Sequence, residues 1–428
     1  MIYAGLDVHK DQVTFCLLDE AGTVLERGEV PCRREPLTQL AQRLGSDAAV
    51  ALETTTHSHA VAELLTPHVQ RVVVANPMKV RAIAEAKVKT DKVDAQVLAH
   101  LLRCDYLPEV WQPDAATQTQ RQLTGRRTAL VNQRTAIVNR IHSLLTSRLL
   151  FPPHGDLLSD TGRAWLAELE LSELDRAQVD SELRLIDALD HEIALLDQRI
   201  AASAYESEEA KLLMTLPGVG MQVAVSLLAA WGDWRRFKSA GHAASYLGLN
   251  PSTRQSAERC HHGPITKAGR SHARMMLTQA VQALARQQHP VGAFFRRIAK
   301  RKNRNVAVIA TARKLATIAW HVLVSGEPYR YAPPETTAAK LRTLRITVTG
   351  QRRRGGVPKG TKARRRDAAG PTRHRPSLNE VYRNEGLPIT AVPDDLPAAE
   401  RRMLADYELT ERTQQIHHAA RVARRPGG

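Results

Sequence analysis

Apolar residues follow two different rhythms along this chain. Near the start they come as short runs. The pattern predicts strands at Tyr3–Val8, Gln12–Asp19 and Thr23–Glu29, with Glu20-Ala21-Gly22 as a hairpin turn between the last two. A helix is expected over Glu35–Leu44. DAAVALET then reads as a buried strand ending at Glu53. His57–Pro67 reads as a helix and Arg71–Ala75 (RVVVA) as another buried strand. Lys92–Arg103 is a helix with Val93, Val97, Leu98, Leu101 and Leu102 on one side.

From about Thr117 the strand rhythm stops. Leu123, Leu130, Val131, Ile137, Val138, Ile141, Leu144 and Leu145 recur at helical spacing, and so do Leu185, Leu189, Ile193, Leu196 and Ile200. Pro152-Pro153 breaks the chain between them, so an antiparallel helical arm or coiled coil is expected. Lys211 to about Leu323 reads as compact and mostly helical. Beyond Pro328 come Pro333-Pro334, Arg352-Arg353-Arg354 and Arg364-Arg365-Arg366, the composition of a poorly folded basic tail. The fold class is therefore an α/β N-terminal domain, a helical coiled-coil arm and a mostly α-helical C-terminal domain. The expected boundaries are 1–110, 111–205, 206–328, and a basic, largely disordered tail over 329–428. Three meandering strands followed by alternating helices and strands is the ribonuclease H-like (RuvC-like) order.

Charge narrows the class of partner. The chain has 61 Lys+Arg against 44 Asp+Glu, a formal net charge of +17. That excess points to a polyanion, usually nucleic acid. No apolar segment reaches the roughly 20 residues that span a bilayer, and no signal peptide is read at Met1, so a cytoplasmic protein without a membrane is expected. Cys16, Cys32, Cys104 and Cys260 form no CxxC pair and fit free thiols. Cys260-His261-His262 are adjacent, and adjacent residues rarely converge on one ion without partners elsewhere.

Asp7 is the anomaly in the first strand, because a buried carboxylate is costly unless paired or bound to metal. In a ribonuclease H-like sheet it neighbours Glu53, at the end of the fourth strand. KTDKVDA adds Asp91 and Asp94, three residues apart at a helix start, where they share a face. As an alternative, Asp91 is a helix N-cap. Four carboxylates at one point repel one another, and Mg²⁺ would resolve that repulsion with hard oxygen ligands. Two ions would serve phosphoryl transfer. An actin-like ATPase would need a Gly- and Ser/Thr-rich phosphate loop after the first Asp, and VHKD is not one.

KLLMTLPGVGMQVA, from Lys211, reads as a helix-hairpin-helix whose Gly218 and Gly220 expose backbone N–H groups to a phosphate. SYLGLNPSTRQSAERCHHGPITKAGRSHARMML then sets serines among basic groups, including Lys267, Arg270 and Arg274. Such surroundings suit a serine nucleophile for a phosphodiester.

Taken together, GLDVHK, LET at Leu52–Thr54, KTDKVDA, LPGVG and GLNPSTRQSAER…GPITKAGR resemble the DEDD transposases of the insertion-sequence 110 family, relatives of the Piv DNA invertases. The resemblance covers roughly residues 1–325, in matching order. It implies that Asp7, Glu53, Asp91 and Asp94 bind metal and that Ser256 is the nucleophile, with Ser252 the competing candidate. Ala257 stands where the family usually has Gly, and Pro264 where it has Arg. The resemblance also implies donor and target DNA, a structured non-coding bridge RNA that supplies sequence choice by base pairing, and a tetramer built as a dimer of dimers. Two other readings of the sequence are a RuvC-like nuclease using water, and an inactive nucleic-acid-binding protein.

Overall fold

The computed structural model describes residues 1–83, 90–153, 156–256, 259–350 and 372–423. The chain divides into two units, Met1–Pro113 and Asp114–Gly428.

The first unit is an α/β domain. Its strands are β1 (Ile2–Val8), β2 (Gln12–Leu18), β3 (Val24–Pro31), β4 (Ala48–Glu53) and β5 (Arg71–Ala75), with helices α1 (Arg34–Leu44), α2 (Ser58–Leu65), α3 (Pro77–Ile83) and α4 (Asp91–Arg103). The sheet order is β3-β2-β1-β4-β5. The first three strands meander antiparallel, while β4 and β5 run parallel to β1. This agrees with the predicted elements to within a residue or two. Two apolar layers explain it. Leu6, Leu52, Val61 and Leu65 pack with α1 and α2 on one face, and Ala51, Val73, Leu98 and Leu102 pack with α4 on the other. The central strands are buried on both faces, so they read as continuous apolar runs.

The second unit is mostly helical: α5 (Ala115–Ser147), α6 (Asp160–Glu168), α7 (Glu173–Glu206), α8 (Glu208–Met214), α9 (Met221–Trp231), α10 (Ala240–Tyr246), a hairpin of β6 (Pro251–Ser256) and β7 (Arg259–Ile265), α11 (Ser271–Leu284), α12 (Pro290–Arg301) and α13 (Arg304–Ser325). The long helices α5 and α7 pair antiparallel. Val179, Ile186, Ile193 and Ile200 are buried at seven-residue steps on α7 and face Leu130, Ile137, Ile141 and Leu145 of α5. Outside this seam runs a ladder of charge pairs: Arg127–Asp197 at 2.5 Å, Arg134–Asp190 at 2.5 Å, Arg140–Glu182 at 2.6 Å and Arg148–Asp175 at 2.8 Å. Arg148 holds the Asp175 carboxyl below its ordinary range, and Arg140 does the same for Glu182. Pairs of this kind, still reached by solvent, add little net stability. Their main effect is on register, because a slip of the helices would break all of them together.

Two expectations are corrected here. Among the described residues, the stretch after residue 328 is built of helices and a strand pair, where a poorly folded tail is expected from the sequence. It contains α14 (Pro334–Thr349), α15 (Leu378–Asn384), α16 (Ala398–Asp406) and α17 (Thr410–His417), and a strand pair, β8 (Thr372–Arg375) with β9 (Ala420–Ala423). Leu341, Leu344, Tyr382, Leu404 and Ile416 join the same core as Leu213, Leu277 and Leu315. The apolar residues are few and split among short elements, so no period shows in the sequence. The arginine clusters at 352–354 and 364–366 lie outside the described residues. The second correction is α13: it is 22 residues long and meets the length and composition of a membrane span, against the expectation of none. Ala312, Leu315, Ala316 and Ala319 of α13 are fully buried in the core of this unit, which accounts for its apolarity.

Lys340 shows how closely α14 is built in. Its Nζ donates to the carbonyls of Met214, Leu216 (2.8 Å) and Val219 (3.0 Å). Three carbonyls match the three donors of an ammonium, and burial pushes its pKa down to about 7.

His289 supplies a pH test. It caps α12, its Nδ1 accepting from the Gly292 N–H at 3.2 Å, so that nitrogen must be unprotonated. Burial, with Arg296 and Lys340 nearby, lowers its pKa to about 3. Between about pH 6.5 and 3 the unfolded chain binds a proton that the folded chain refuses. Stability is therefore present above that window and is lost as pH falls through it. Relative to His289→Asn, which keeps a capping oxygen, the native chain should lose about 2 kcal/mol between pH 7 and 5. Urea unfolding of both proteins at the two pH values measures this, and parallel behaviour would refute it.

Candidate metal centre

The site in the first unit begins at a glycine. A Cβ on Gly5 would lie 1.9 Å from the Ala95 carbonyl oxygen and 2.6 Å from the Ala99 nitrogen. Only a residue without a side chain lets α4 lie this close to β1. Asp7 is two residues further along the strand and so faces the same side. The last β1–β4 pair is Leu6 with Leu52. Asp7 and Glu53 therefore stand one step beyond it on adjacent parallel strands, at the carboxyl edge where open α/β sheets bind ligands.

The start of α4 brings the next carboxylates. Thr90, and not Asp91, is the N-cap, its hydroxyl accepting from the Val93 N–H at 3.4 Å. This corrects the capping alternative for Asp91. Asp91 is the first helical residue, one turn before Ala95, and it reaches back over the end of β1. His9 joins the two elements. Its Nε2 lies 3.1 Å from Asp7 Oδ2 and 3.5 Å from Asp91 Oδ1. Ligand atoms of Asp7, His9 and Asp91 all lie within 4.8 Å of one another.

The electrostatics follow from crowding. Burial raises the Asp7 pKa, the His9 charge opposes this, and Asp91 and Asp94 raise it further. The Asp7 carboxylate in turn raises His9 above its ordinary value. The negative charge crowded here favours the protonated form of His9, and a cation bound by its imidazole would take the place of that proton. Two carboxylates and an imidazole within this radius are a plausible donor set for a divalent cation. Asp94 acts on Asp7 through its charge, and Glu53 is placed by register. Sequence reasoning passed over His9 as a ligand. The available signal was the spacing in Asp7-Val8-His9, which puts both side chains on one side where the strand ends.

In the second unit Ser256 is the last residue of β6, its backbone opposite Arg259. The neighbouring Ala257 lies outside the described residues. The Ser252 hydroxyl lies across the hairpin, 2.5 Å from where a Cβ on Gly263 would be. Arg274 donates to the Leu247 carbonyl at 2.8 Å and to that of Ala268 at 3.3 Å, tying together the two loops beside the hairpin. Lys267 sits in one of those loops with φ of 54°. Arg270 is the N-cap residue of α11, with no side-chain capping bond, and partial desolvation lowers its guanidinium pKa. Gly220 is the N-cap of α9. A Cβ on Gly218 would lie 2.3 Å from the Ala280 carbonyl, so packing against α11 alone requires a glycine there.

Comparison with known proteins agrees with these features. Residues 4–150 match a family described as a transposase of the DEDD, IS110 type, and residues 210–296 match the family described as "Transposase IS116/IS110/IS902 family". A pilin gene-inverting protein of Moraxella bovis is 28% identical over 289 residues, covering 64% of this chain and 80% of that protein. The transposase for insertion sequence element IS1111A of Coxiella burnetii is 25% identical over 347 residues, covering 76% of this chain and 90% of that protein. These matches place the chain among enzymes of the transposase and recombinase class, which act on DNA. The chain belongs to the insertion-sequence 110 family of transposases. Membership of a DEDD family implies use of a divalent metal.

Two substitutions test the centre without an activity assay. Asp7→Asn removes a candidate ligand, and Gly5→Ala pushes α4, with Asp91, off β1. Both should lower Mn²⁺ affinity at least tenfold, within the roughly 10–100-fold range typical of disturbed metal sites. Gly5→Ala should also cost about 1–3 kcal/mol of stability as an overpacked core does. Calorimetric titration of the whole chain, with thermal melting, measures both effects. Unchanged Mn²⁺ affinity in Asp7→Asn would remove Asp7 from the site.

Proposed function

We propose that this chain is an RNA-guided DNA recombinase that cuts and rejoins strands through a serine-linked intermediate. The observation that carries the metal-dependent part is the convergence of Asp7, His9 and Asp91 at the carboxyl edge of β1. The sheet order β3-β2-β1-β4-β5, with three antiparallel strands followed by two parallel ones, supports a ribonuclease H-like reading of the first unit. The long α5–α7 pair supports the reading of a coiled-coil arm, the kind of element that would space subunits in a tetramer.

In this proposal Asp7, Glu53, Asp91 and Asp94 hold Mg²⁺. When bound, the cation would neutralise charge developing on the scissile phosphate. The Ser256 oxygen attacks phosphorus, a phosphoserine bond forms, and the DNA strand leaves with a free hydroxyl. Lys267 and Arg270 stabilise the added charge. Rejoining reverses the step: a strand hydroxyl attacks the phosphoserine and releases Ser256, so no nucleotide cofactor is consumed. Donor and target sequences are chosen by pairing with a bridge RNA, while basic side chains hold duplex and backbone. The reaction takes place in the bacterial cytoplasm, on the nucleoid.

The test is trapping. Protein, its RNA and a labelled DNA junction are incubated with Mg²⁺ and quenched in SDS. Label should migrate with the protein, vanish with Ser256→Ala, persist with Ser252→Ala and be absent in EDTA. Cleavage without any adduct would replace this reading with a hydrolytic nuclease using water. Loss of the adduct with Ser252→Ala alone would move the nucleophile.

A further inference from the structure

A cavity of about 450 Å³ in the second unit belongs to neither the carboxylate cluster nor the serine hairpin. It lies among α12, α13 and α16, so the C-terminal segment supplies part of its wall. Phe294, Ile318 and Tyr407 give it apolar sides. Arg297 stands at the mouth, 5.6 Å from the Phe294 ring centre and 5.3 Å from that of Tyr407, and Lys314 adds a second cation. Another polar group, Glu400, is a carboxylate. It accepts from the Tyr331 hydroxyl, and Arg330 lies 3.4 Å from both of its oxygens. One turn past Arg297, α12 ends in the exposed run Lys300, Arg301 and its C-cap Lys302.

These features restrict the ligand. The volume lies in the small-molecule range and is too small for a peptide helix. The cations at the mouth favour an anionic ligand. Glu400, paired with Arg330, leaves no excess positive charge there for an anion, and its oxygens accept N–H groups. The aromatic walls favour a flat π face. A nucleotide meets all four conditions when its base is inside and its phosphate outside, because base stacking on aromatic rings pairs with a cationic backbone track.

We propose that this cavity takes one unstacked base of a single-stranded nucleic acid, whose backbone runs along the basic end of α12. The inference rests on the nucleic-acid function proposed above and deepens it. Duplex bases stay stacked, so the cavity discriminates single strands from duplexes.

The experiment uses the whole chain and a mixed-sequence single strand carrying 2-aminopurine, made once as DNA and once as RNA, beside the matching duplex. Phe294→Ala removes a wall. Ser325→Trp, at an exposed position lining the cavity, fills it without touching the core. Both should weaken binding of at least one single strand about tenfold, within the range of a lost base stack. The strand that responds identifies the source of the base. Duplex affinity and the salt dependence of binding should stay unchanged, whereas Lys300→Ala should reduce the salt dependence. Equal losses on single strand and duplex, or no loss in either variant, would overturn the cavity assignment and leave the recombinase reading standing. A native chain that bound none of these nucleic acids at low salt would overturn both.

Discussion

The closeness of α4 to the central strand is the constraint on which the first unit turns. A helix normally rests on a sheet with a layer of side chains between. At Gly5 that layer is missing, and the backbone of α4 comes down onto β1 itself. Everything at the carboxyl edge inherits this distance. Asp91 enters the site because its helix is low, and Thr90 leaves it available by taking the capping role. Asp7 is buried enough to be short of solvent, so its carboxylate is held under electrostatic tension that a bound cation would relieve.

The second unit depends on a different economy. The residues beyond 328 are part of its core, and around the turn between α8 and α9 backbone carbonyls point at α14. Lys340 answers three of them from α14. A buried donor with several acceptors is costly to remove, because each orphaned carbonyl loses its partner at once. The C-terminal helices thus serve as a structural clamp on the glycine-rich turn, and Tyr382, whose hydroxyl donates to the Tyr329 carbonyl at 2.6 Å, fastens the other side.

How much of this the sequence displays depends on length scale. The sheet is legible because each strand carries its own apolar run and is punctuated by Gly, Pro or charge. Asp7 is legible because a carboxylate inside such a run needs a reason. The low helix is not legible: Gly5 looks like any strand glycine until Ala95 and Ala99 are seen above it. His9 is hidden by its position just past a strand end, where a polar residue is unremarkable. The C-terminal helices escape because each buries only a few side chains, and their support comes from partners more than a hundred residues away, as Lys340 and the Leu216 carbonyl show. Ser256 is singled out by resemblance alone, since nothing about a serine in a polar hairpin distinguishes it chemically.

The charge ladder on α5 and α7 has a consequence for how proteins built on this plan can diverge. The α7 seam repeats every seven residues and the ladder about every seven, so neither helix can change length alone without stranding charges against apolar positions. Viable changes add or remove whole heptads on both helices together, each lengthening the pair by about 10 Å. The span of this element is therefore quantised. Relatives sharing the architecture should differ here in steps, like gauge blocks, and spacing between whatever its ends hold should change by the same increments.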